Sequence, residues 1–267
     1  MSPEAPPTPV PSLAESDQRD ITNLCLAAGL LLLQHGAESA LVDSLTCRLG
    51  VALGAETVEV AILSNALSVT TVHHAHAVTL IRRSVDRGIN MYMVTEAQRA
   101  VLDVEGKALD REAFRRRIQA IAPWRYPRWM VALAIGVSCA CFARLAGADF
   151  TACLVTFAAS TVAMGARQFF ASLHFNPLVT FFLSAFVATS IASQGLIYRW
   201  GATPKLAMAA CVLLLVPGFP MINSVSDMVK GHHHTGVARA VMATMLGGAT
   251  AGGILLAMTV WRVWGWL

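Results

Sequence analysis

The stretch WMVALAIGVSCACFARL, residues 129–145, is almost wholly apolar and carries one charge, Arg144, near its end. A helix needs about 20 mostly apolar residues to cross roughly 30 Å of hydrocarbon, and an arginine near a helix end can extend its head group to the interface. Four further stretches of this kind follow, at residues 150–170, 178–198, 206–225 and 241–260. The pattern predicts an all-α polytopic membrane bundle of about five transmembrane helices.

The residues before this stretch have a different composition. Residues 1–128 contain 13 Lys and Arg and 14 Asp and Glu, whereas residues 129–267 contain 7 and 2. A step in charge density of this size marks a domain boundary. Residues 1–15 are rich in proline and lack an apolar run, so they are predicted to be a disordered tail. We therefore expect a soluble domain over residues 16–127 and a transmembrane domain over residues 128–267.

The predicted soluble domain has both helical and strand periodicity. Apolar residues recur at helical spacing in four segments, which are residues 16–34, 39–53, 94–103 and 110–121. Runs rich in Val, Ile and Thr predict three short strands, at residues 57–63, 67–72 and 78–82. The domain is expected to be α+β, with a small antiparallel sheet.

Arginines are concentrated just before the first span, where the chain carries Arg111, Arg115, Arg116, Arg117, Arg125 and Arg128. Positively charged segments beside a span stay on the cytoplasmic side. This cluster predicts a cytoplasmic N-terminal domain, and five spans then place the C-terminus outside. The arginines suit the surface of the lipid bilayer better than a nucleic acid.

The fourth span contains the sequence VPGFP, residues 216–220. Pro217 and Pro220 both remove a backbone donor and clash with the preceding turn, so a regular helix cannot continue through them. At 1.5 Å per residue from Leu206, Pro217 lies roughly 17 Å deep. Broken helices at this depth commonly form transporter sites. A second half-helix is expected near Phe219, and its positive end would favour a carboxylate. Pro217, Gly218 and Pro220 are therefore candidate substrate-binding residues; a structural kink is the alternative.

Polar residues in the membrane half supply further candidates. Asn223 and Asp227 share a helical face with Pro220. Asn223 could donate to a carboxylate, and Asp227 could carry a proton or act as a gate, unless it is simply interfacial. Arg167, with Gln168 beside it, could bind a carboxylate through its planar fork. Arg167 could instead be a topological anchor, or it could pair with Asp227.

The N-terminal domain has polar motif positions of its own, which are His35, Glu38, Ser64, Asn65, Asp86, Arg87 and Asn90. Ser64, His35 and Glu38 could form a hydrolytic trio on paper, but no nucleophile-elbow motif supports it. Capping, turn formation and contacts between domain and membrane are the alternatives. No phosphate-binding glycine loop is present, so ATP-driven pumping is not expected. The run His232 to His234 lacks a supporting ligand pattern, and neither a metal site nor a cofactor is predicted.

Six segments in order resemble one known family. They are HGAESALVDSL (35–45), SNALSVTT (64–71), DRGINM (86–91), YPRWMVAL (126–133), SCACF (138–142) and LLLVPGFPMIN (213–223). Together they resemble the threonine/serine exporter family, in the branch whose transporter is split between two chains. The resemblance covers nearly the whole chain and leaves out only the proline-rich tail.

The resemblance implies a transporter of the bacterial inner membrane and not an enzyme. One branch of the family exports threonine and serine, whereas the branch this chain looks like is associated with export of succinate and similar dicarboxylates. It implies a smaller, membrane-embedded second subunit, and Gly248 and Gly252 in the last span also permit homo-oligomers. The leading hypothesis is therefore a secondary exporter subunit for a small anionic metabolite. The rivals are an amino-acid exporter subunit and a membrane-anchored regulatory or hydrolytic protein.

Overall fold

Helices make up most of the chain. The computed structural model describes residues 15–74 and 76–264, and these residues form ten α-helices, one 3-10 helix and three strands. The described residues fall into two compact units. The first unit extends to Trp124 and also includes Asn223–Ala238, while the second comprises Arg125–Ile222 and Arg239–Leu267 as far as it is described. The predicted tail lies outside the described residues except for Glu15, which begins the first helix.

The first unit is a mixed α and β structure. Its elements are α1 (Glu15–Gln34), α2 (Ser39–Ala52), β1 (Thr57–Ile62), β2 (Ala66–His73), β3 (His76–Arg83), α3 (Met91–Glu105) and α4 (Arg111–Ala120). The strands form one antiparallel sheet in the order β1-β2-β3. Every second residue of the central strand is buried, as expected for a strand with one face on a core. The small antiparallel sheet predicted from the sequence is confirmed.

The core of the first unit is built around α1. Ile21, Cys25 and Leu32 of this helix are fully buried, and they belong to one cluster with Leu67 and Val69 of β2. Burial raises the pKa of the Cys25 thiol to about 12, which keeps it protonated and unreactive near neutral pH. The helix is therefore a central packing element of this unit.

The second unit consists of apolar helices. Its elements are α5 (Arg128–Leu145), α6 (Phe150–Ser172), α7 (Pro177–Ile197), α8 (Pro204–Cys211), a 3-10 helix (Leu213–Leu215), the first part of α9 (Gly218–Val229) and most of α10 (His233–Val260). Four of the described helices, α5, α6, α7 and α10, are long and apolar enough to cross a membrane. The segment Pro204–Leu215 and α9 pass the same test together but are bent by 57°. A bundle of apolar helices is thus confirmed, with four candidate spans in the described residues, or five if the bent pair is one span.

Large apolar side chains remain exposed on the surface of this unit. On α5 and α6 they include Trp129, Leu133, Val137, Phe142, Phe150, Leu154, Val162 and Phe169. Small residues instead fill the interior, where Ala159, Ala163, Ala188 and Ala192 are fully buried. Bundles in lipid show this arrangement, because close packing of small residues holds the helices together while apolar side chains face the lipid tails.

One close helix contact in the second unit depends on a glycine of α10. A Cβ atom at Gly253 would lie 2.2 Å from the carbonyl oxygen of Phe182 in α7 and 2.9 Å from Cβ of Ala185. A Cβ atom at Gly248 would meet no described atom within 4 Å. The two glycines therefore differ sharply, although both belong to the same glycine-rich segment.

We expect Gly253→Val to destabilise the protein by about 1–3 kcal/mol, the usual cost of overpacking, because the backbone of Phe182 cannot yield as a flexible side chain would. Gly248→Val is the matched control and should leave stability within about 0.5 kcal/mol of wild type. Thermal unfolding of the detergent-solubilised protein measures both. Equal losses from the two variants would contradict the helix contact described for Gly253.

Candidate functional site

The break in the fourth span has a definite local structure. The 3-10 helix ends at Leu215, and the amide of Gly218 donates to the carbonyl of Val216 over 2.8 Å. Helix α9 begins at Gly218, one residue before the start expected from the two prolines. Pro220 is its third residue, where a helix leaves its backbone donors unpaired, so the proline costs no hydrogen bond there. The chain thus presents a helix N-terminus inside an apolar unit.

Arg167 lies near the end of α6 and is half-buried. Its Cζ atom is 4.5 Å from the centroid of the Phe181 ring in α7, a cation–π contact. Among residues 15–74 and 76–264, no carboxylate forms an ion pair with it. The neighbouring Gln168 donates its Nε2 group to the carbonyl of Arg128 over 3.0 Å. This bond uses one of the two N–H donors of Gln168, whereas Arg167 has no hydrogen bond to any residue in the described part of the chain.

Phe181 connects Arg167 to the region of the break. This ring is 9% exposed and shares a buried cluster with Ala185, Leu215 and Leu246. Leu215 is the last residue of the 3-10 helix, two positions before Pro217. The side chain that stacks on Arg167 therefore packs in the same cluster as the end of the first half of the broken span.

The carboxylate of Asp149, at the start of α6, is already engaged. Its Oδ1 atom accepts from the amide of Thr203, 3.0 Å away, and from the Thr203 hydroxyl. In return, the Thr203 hydroxyl accepts from the amide of Asp149 over 2.9 Å. The pKa of Asp149 is lowered, chiefly by the hydrogen bond from the Thr203 hydroxyl, while partial burial of the carboxylate acts in the opposite direction. Asp149 thus connects the N-terminus of α6 to the N-terminus of α8 through hydrogen bonds.

A second group of polar residues lies within the first unit, where the turn between α1 and α2 meets the later segment 223–238. We call it the junction cluster, and it consists of Gly36, Glu38, Ser39, Asn223, Ser226, Asp227, Lys230 and Thr235. The Nδ2 group of Asn223 donates to the carbonyl of Gly36 over 3.0 Å. The Glu38 carboxylate accepts from the Ser226 hydroxyl and pairs with the Lys230 ammonium.

Asp227 is the centre of the junction cluster and is fully buried. Its Oδ1 atom accepts from the amide of Ser39, and its Oδ2 atom accepts from the Ser39 hydroxyl, each over 2.9 Å. The Ser39 hydroxyl is also 3.0 Å from that of Thr235. Because Ser39 is the first residue of α2 and the Glu38 side chain does not cap this helix, Asp227 satisfies its N-terminus and complements its dipole.

The loop Asp86 to Asn90 forms backbone hydrogen bonds to the turn between α1 and α2. The amide of Arg87 donates to the carbonyl of Gln34, and the amide of Asn90 donates to the carbonyl of His35, each over 3.1 Å. Asn90 Oδ1 accepts from the amides of Tyr92 and Met93 and so caps α3. Asp86 accepts from the amide of Gly88 over 2.8 Å. These motif positions fix the backbone between α1 and α3.

His35, Ser64 and Asn65 also have structural surroundings. His35 is 3% exposed, and its Nδ1 atom is 2.9 Å from the carbonyl of Leu31. Ser64 and Asn65 form the exposed turn between β1 and β2, where the amide of Ser84 donates to the carbonyl of Asn65. Within the described residues, Ser64 makes no hydrogen bond to His35, so the hydrolytic trio is not assembled.

Several members of the junction cluster were not predicted as site residues, notably Ser39, Ser226, Lys230 and Thr235. A signal for part of the set is present in the sequence. Asn223, Ser226, Asp227 and Lys230 are polar and stand at spacings of three and four residues, which places them on one face of α9 and of the residue directly after it. A polar face of this kind, on a helix whose first turns are apolar, indicates that the second half of the helix packs against protein and not against lipid.

An apolar bundle, a bent helix pair and an arginine without a carboxylate partner among the described residues are typical of α-helical membrane transport proteins. The chain matches the putative threonine/serine exporter family, ThrE, over residues 23–261, and it belongs to that family. The assignment made from the six sequence segments is confirmed.

Two relatives support the same assignment. The chain is 50% identical over 253 residues to the "Probable succinate transporter subunit YjjP" of Escherichia coli K12, which covers 94% of this chain and 98% of that protein. A protein of the same name from Klebsiella aerogenes is 50% identical over 255 residues, with 94% and 98% covered. No solved structure matches the chain.

Proposed function

We propose that this chain is one subunit of a secondary exporter in the bacterial inner membrane. It moves a small organic anion, succinate or a related C4 dicarboxylate, out of the cytoplasm together with a second membrane subunit resembling YjjB. Both relatives are named as probable succinate transporter subunits, which supports the proposed substrate and the proposed need for a partner chain. The structural observation that carries the proposal is Arg167, a half-buried arginine with no carboxylate partner in the described part of the chain.

The surroundings of Arg167 suit a carboxylate ligand. A charged side chain within a membrane span is costly and normally faces a partner or a pathway. The Phe181 ring offsets part of that cost through its face, but the guanidinium N–H groups have no hydrogen-bond partner within residues 15–74 and 76–264. These groups match a carboxylate in a bidentate geometry. A substrate carboxylate would therefore supply the partner that the described residues do not.

The broken span provides a place for the second carboxylate of the substrate. The N-terminus of α9 presents the positive end of the helix dipole. Because Gly218 donates to Val216 and Pro220 has no N–H, Phe219 supplies the one backbone amide among the first three residues of α9 that has no hydrogen-bond partner in the described part of the chain. Phe181 links this region to Arg167 through the cluster that contains Leu215. Two positive features near one break fit a ligand with two negative ends.

The amino-acid alternative has less support. A zwitterion needs an acidic group for its ammonium, and residues 129–267 contain two acids. Asp149 accepts hydrogen bonds from Thr203, and Asp227 accepts two from Ser39. Because both carboxylates have hydrogen-bond partners while Arg167 has neither a carboxylate nor a hydrogen-bond partner among the described residues, the membrane half favours an anion.

The same proposal includes five spans and a cytoplasmic N-terminal domain over residues 16–127, with the membrane domain over residues 128–267. Segments that bond to each other within the first unit must lie on one side of the membrane, and Ser39 bonds Asp227. This hydrogen bond supports an even number of crossings between Arg128 and Asn223. We propose that α5, α6 and α7 make three crossings, that the bent pair makes the fourth as one broken span, and that α10 makes the fifth.

Reporter fusions test this topology. A periplasm-active phosphatase fused after Ile121 or after Gly231 should be inactive, because both positions are cytoplasmic. The same reporter fused after Leu267 should be active. Activity after Gly231 would mean that α8 and α9 form a re-entrant pair, and activity after Ile121 would reverse the orientation.

Export from whole cells tests the function. In a host that lacks both native subunits, expression of this chain with the second subunit should raise extracellular succinate, whereas either chain alone should not. Threonine measured in the same cultures is the control for the rival substrate. Export of threonine but not succinate would favour the amino-acid exporter, and succinate export by this chain alone would refute the need for a partner.

A further inference from the structure

Three potential metal ligands meet at one end of the sheet in the first unit. The amide of Glu56 donates to the carbonyl of Val72 over 3.1 Å and so extends the pairing of β1 with β2. Glu56 Oε1 lies 3.4 Å from Nδ1 of His74 and 3.7 Å from Nδ1 of His73. One ligand atom from each residue falls within 4.8 Å of the others.

The backbone at the end of β2 brings the two histidines together. Successive side chains of a regular strand point to opposite faces, so adjacent histidines ordinarily diverge. His74 has a φ of +45°, a left-handed conformation that ends this alternation. The two ring centroids are 4.4 Å apart as a result. The amide of His74 also donates to Glu56 Oε2 over 3.2 Å, which orients the carboxylate.

His73 gives an independent indication of a ligand. It is 7% exposed, and within the described part of the chain neither of its ring nitrogens has a hydrogen-bond partner. Buried polar side chains are nearly always hydrogen-bonded, so an imidazole with two unsatisfied nitrogens needs an explanation. A metal ion among His73, His74 and Glu56 would satisfy one of them.

We propose that Glu56, His73 and His74 bind a divalent transition-metal ion of the zinc type. Two imidazoles and one carboxylate are a recurring three-residue zinc set that leaves a fourth position to water. At zinc–ligand distances of about 2.0–2.1 Å, tetrahedral ligand atoms are about 3.3 Å apart, close to the observed 3.4 and 3.7 Å. Calcium and magnesium prefer oxygen ligands throughout, so this site does not suit them.

The bound ion would tie the end of β2 to the segment that leads from α2 into β1. Glu56 and His74 have side chains 47% and 41% exposed, whereas that of His73 is 8% exposed. The site is thus open to solvent on one side and anchored on the other, which permits exchange of the ion with solution. This inference is independent of the transport proposal, because it concerns neither Arg167 nor the broken span.

Zinc titration of the tag-free, full-length protein in detergent tests the site. After stripping with a chelator, the wild-type chain should bind one Zn²⁺ in calorimetry and retain one equivalent after gel filtration. Glu56→Gln and His74→Asn should each weaken binding at least about tenfold, since loss of a ligand exceeds the usual effect of an outer-shell change. Both exposed positions are chosen to preserve folding, and asparagine tolerates the left-handed conformation of His74.

Matched controls are Glu59→Gln, an exposed glutamate on β1, and the double variant His233→Ala/His234→Ala in the other histidine run. Both should bind zinc as the wild type does. Thermal unfolding without metal should be unchanged in all four variants. Absence of zinc binding by the wild type, or wild-type affinity in both Glu56→Gln and His74→Asn, would overturn the assignment.

Discussion

Arg167→Ala should abolish succinate export, and Arg167→Lys should reduce it at least about tenfold, while both variants still insert into the membrane. Hydrogen bonds to charged groups contribute about 1.5–3 kcal/mol, which corresponds to roughly 10–100-fold in binding. Lysine keeps the charge but loses the planar pair of donors that matches a carboxylate. Efflux from cells with both subunits, normalised to the amount of protein in the membrane, measures the loss.

The matched control for Arg167→Lys is Arg144→Lys. Arg144 also lies near the end of a span, but its guanidinium already donates to the carbonyl of Ala148 over 2.9 Å. Lysine should replace it without loss of export. If Arg167→Lys also exports at the wild-type rate, Arg167 is a topological anchor, because the orientation rule counts lysine and arginine alike.

Asp227→Ala should lower the free energy of unfolding by about 3 kcal/mol, a loss large enough to reduce the amount of folded protein. The substitution leaves the amide and the hydroxyl of Ser39 without their acceptor in a fully buried position, and unsatisfied buried groups cost about 1–3 kcal/mol, more where a charged group is involved. Ser226→Ala, which removes one hydroxyl from the same cluster, should cost about 1 kcal/mol. Chemical unfolding in detergent compares the two variants.

Asp227→Asn separates the structural role of this residue from the role of proton carrier. Asparagine can accept from the Ser39 amide and donate to the Ser39 hydroxyl, so the hydrogen bonds are retained in number while the titratable group is lost. A structural Asp227 predicts that this variant exports at close to the wild-type rate. A stable Asp227→Asn protein without export would instead support the proton-carrier interpretation.

The periodic elements could be predicted from the sequence because local physics decides them. Apolar residues recur with a period of 3.6 in α1 and a period of 2 in the three strands. Pro217 and Pro220 interrupt a helix whatever their tertiary surroundings. The family could be predicted too, since six segments in order carried it. Such features depend on neighbours in the chain, which a single sequence displays.

Contacts between distant residues could not be predicted in the same way. Ser39 and Asp227 are 188 positions apart, and nothing in either segment specifies the other. The glycine-rich segment of α10 showed a similar limit, because its spacing singled out Gly248 and Gly252 while the closest backbone contact belongs to Gly253. The pair His73 and His74 was not predicted as a ligand set because alternation along a strand separates neighbours unless a positive φ intervenes.

Counterflow of labelled succinate in proteoliposomes tests the central claim most directly. Vesicles that contain this chain and its second subunit, preloaded with unlabelled succinate, should accumulate the label transiently, and unlabelled threonine should not replace succinate inside. Vesicles with Arg167→Ala in place of the wild type should accumulate none. Accumulation that is equal with Arg167→Ala, or that occurs with threonine and not with succinate, would contradict a dicarboxylate exporter whose substrate binds Arg167.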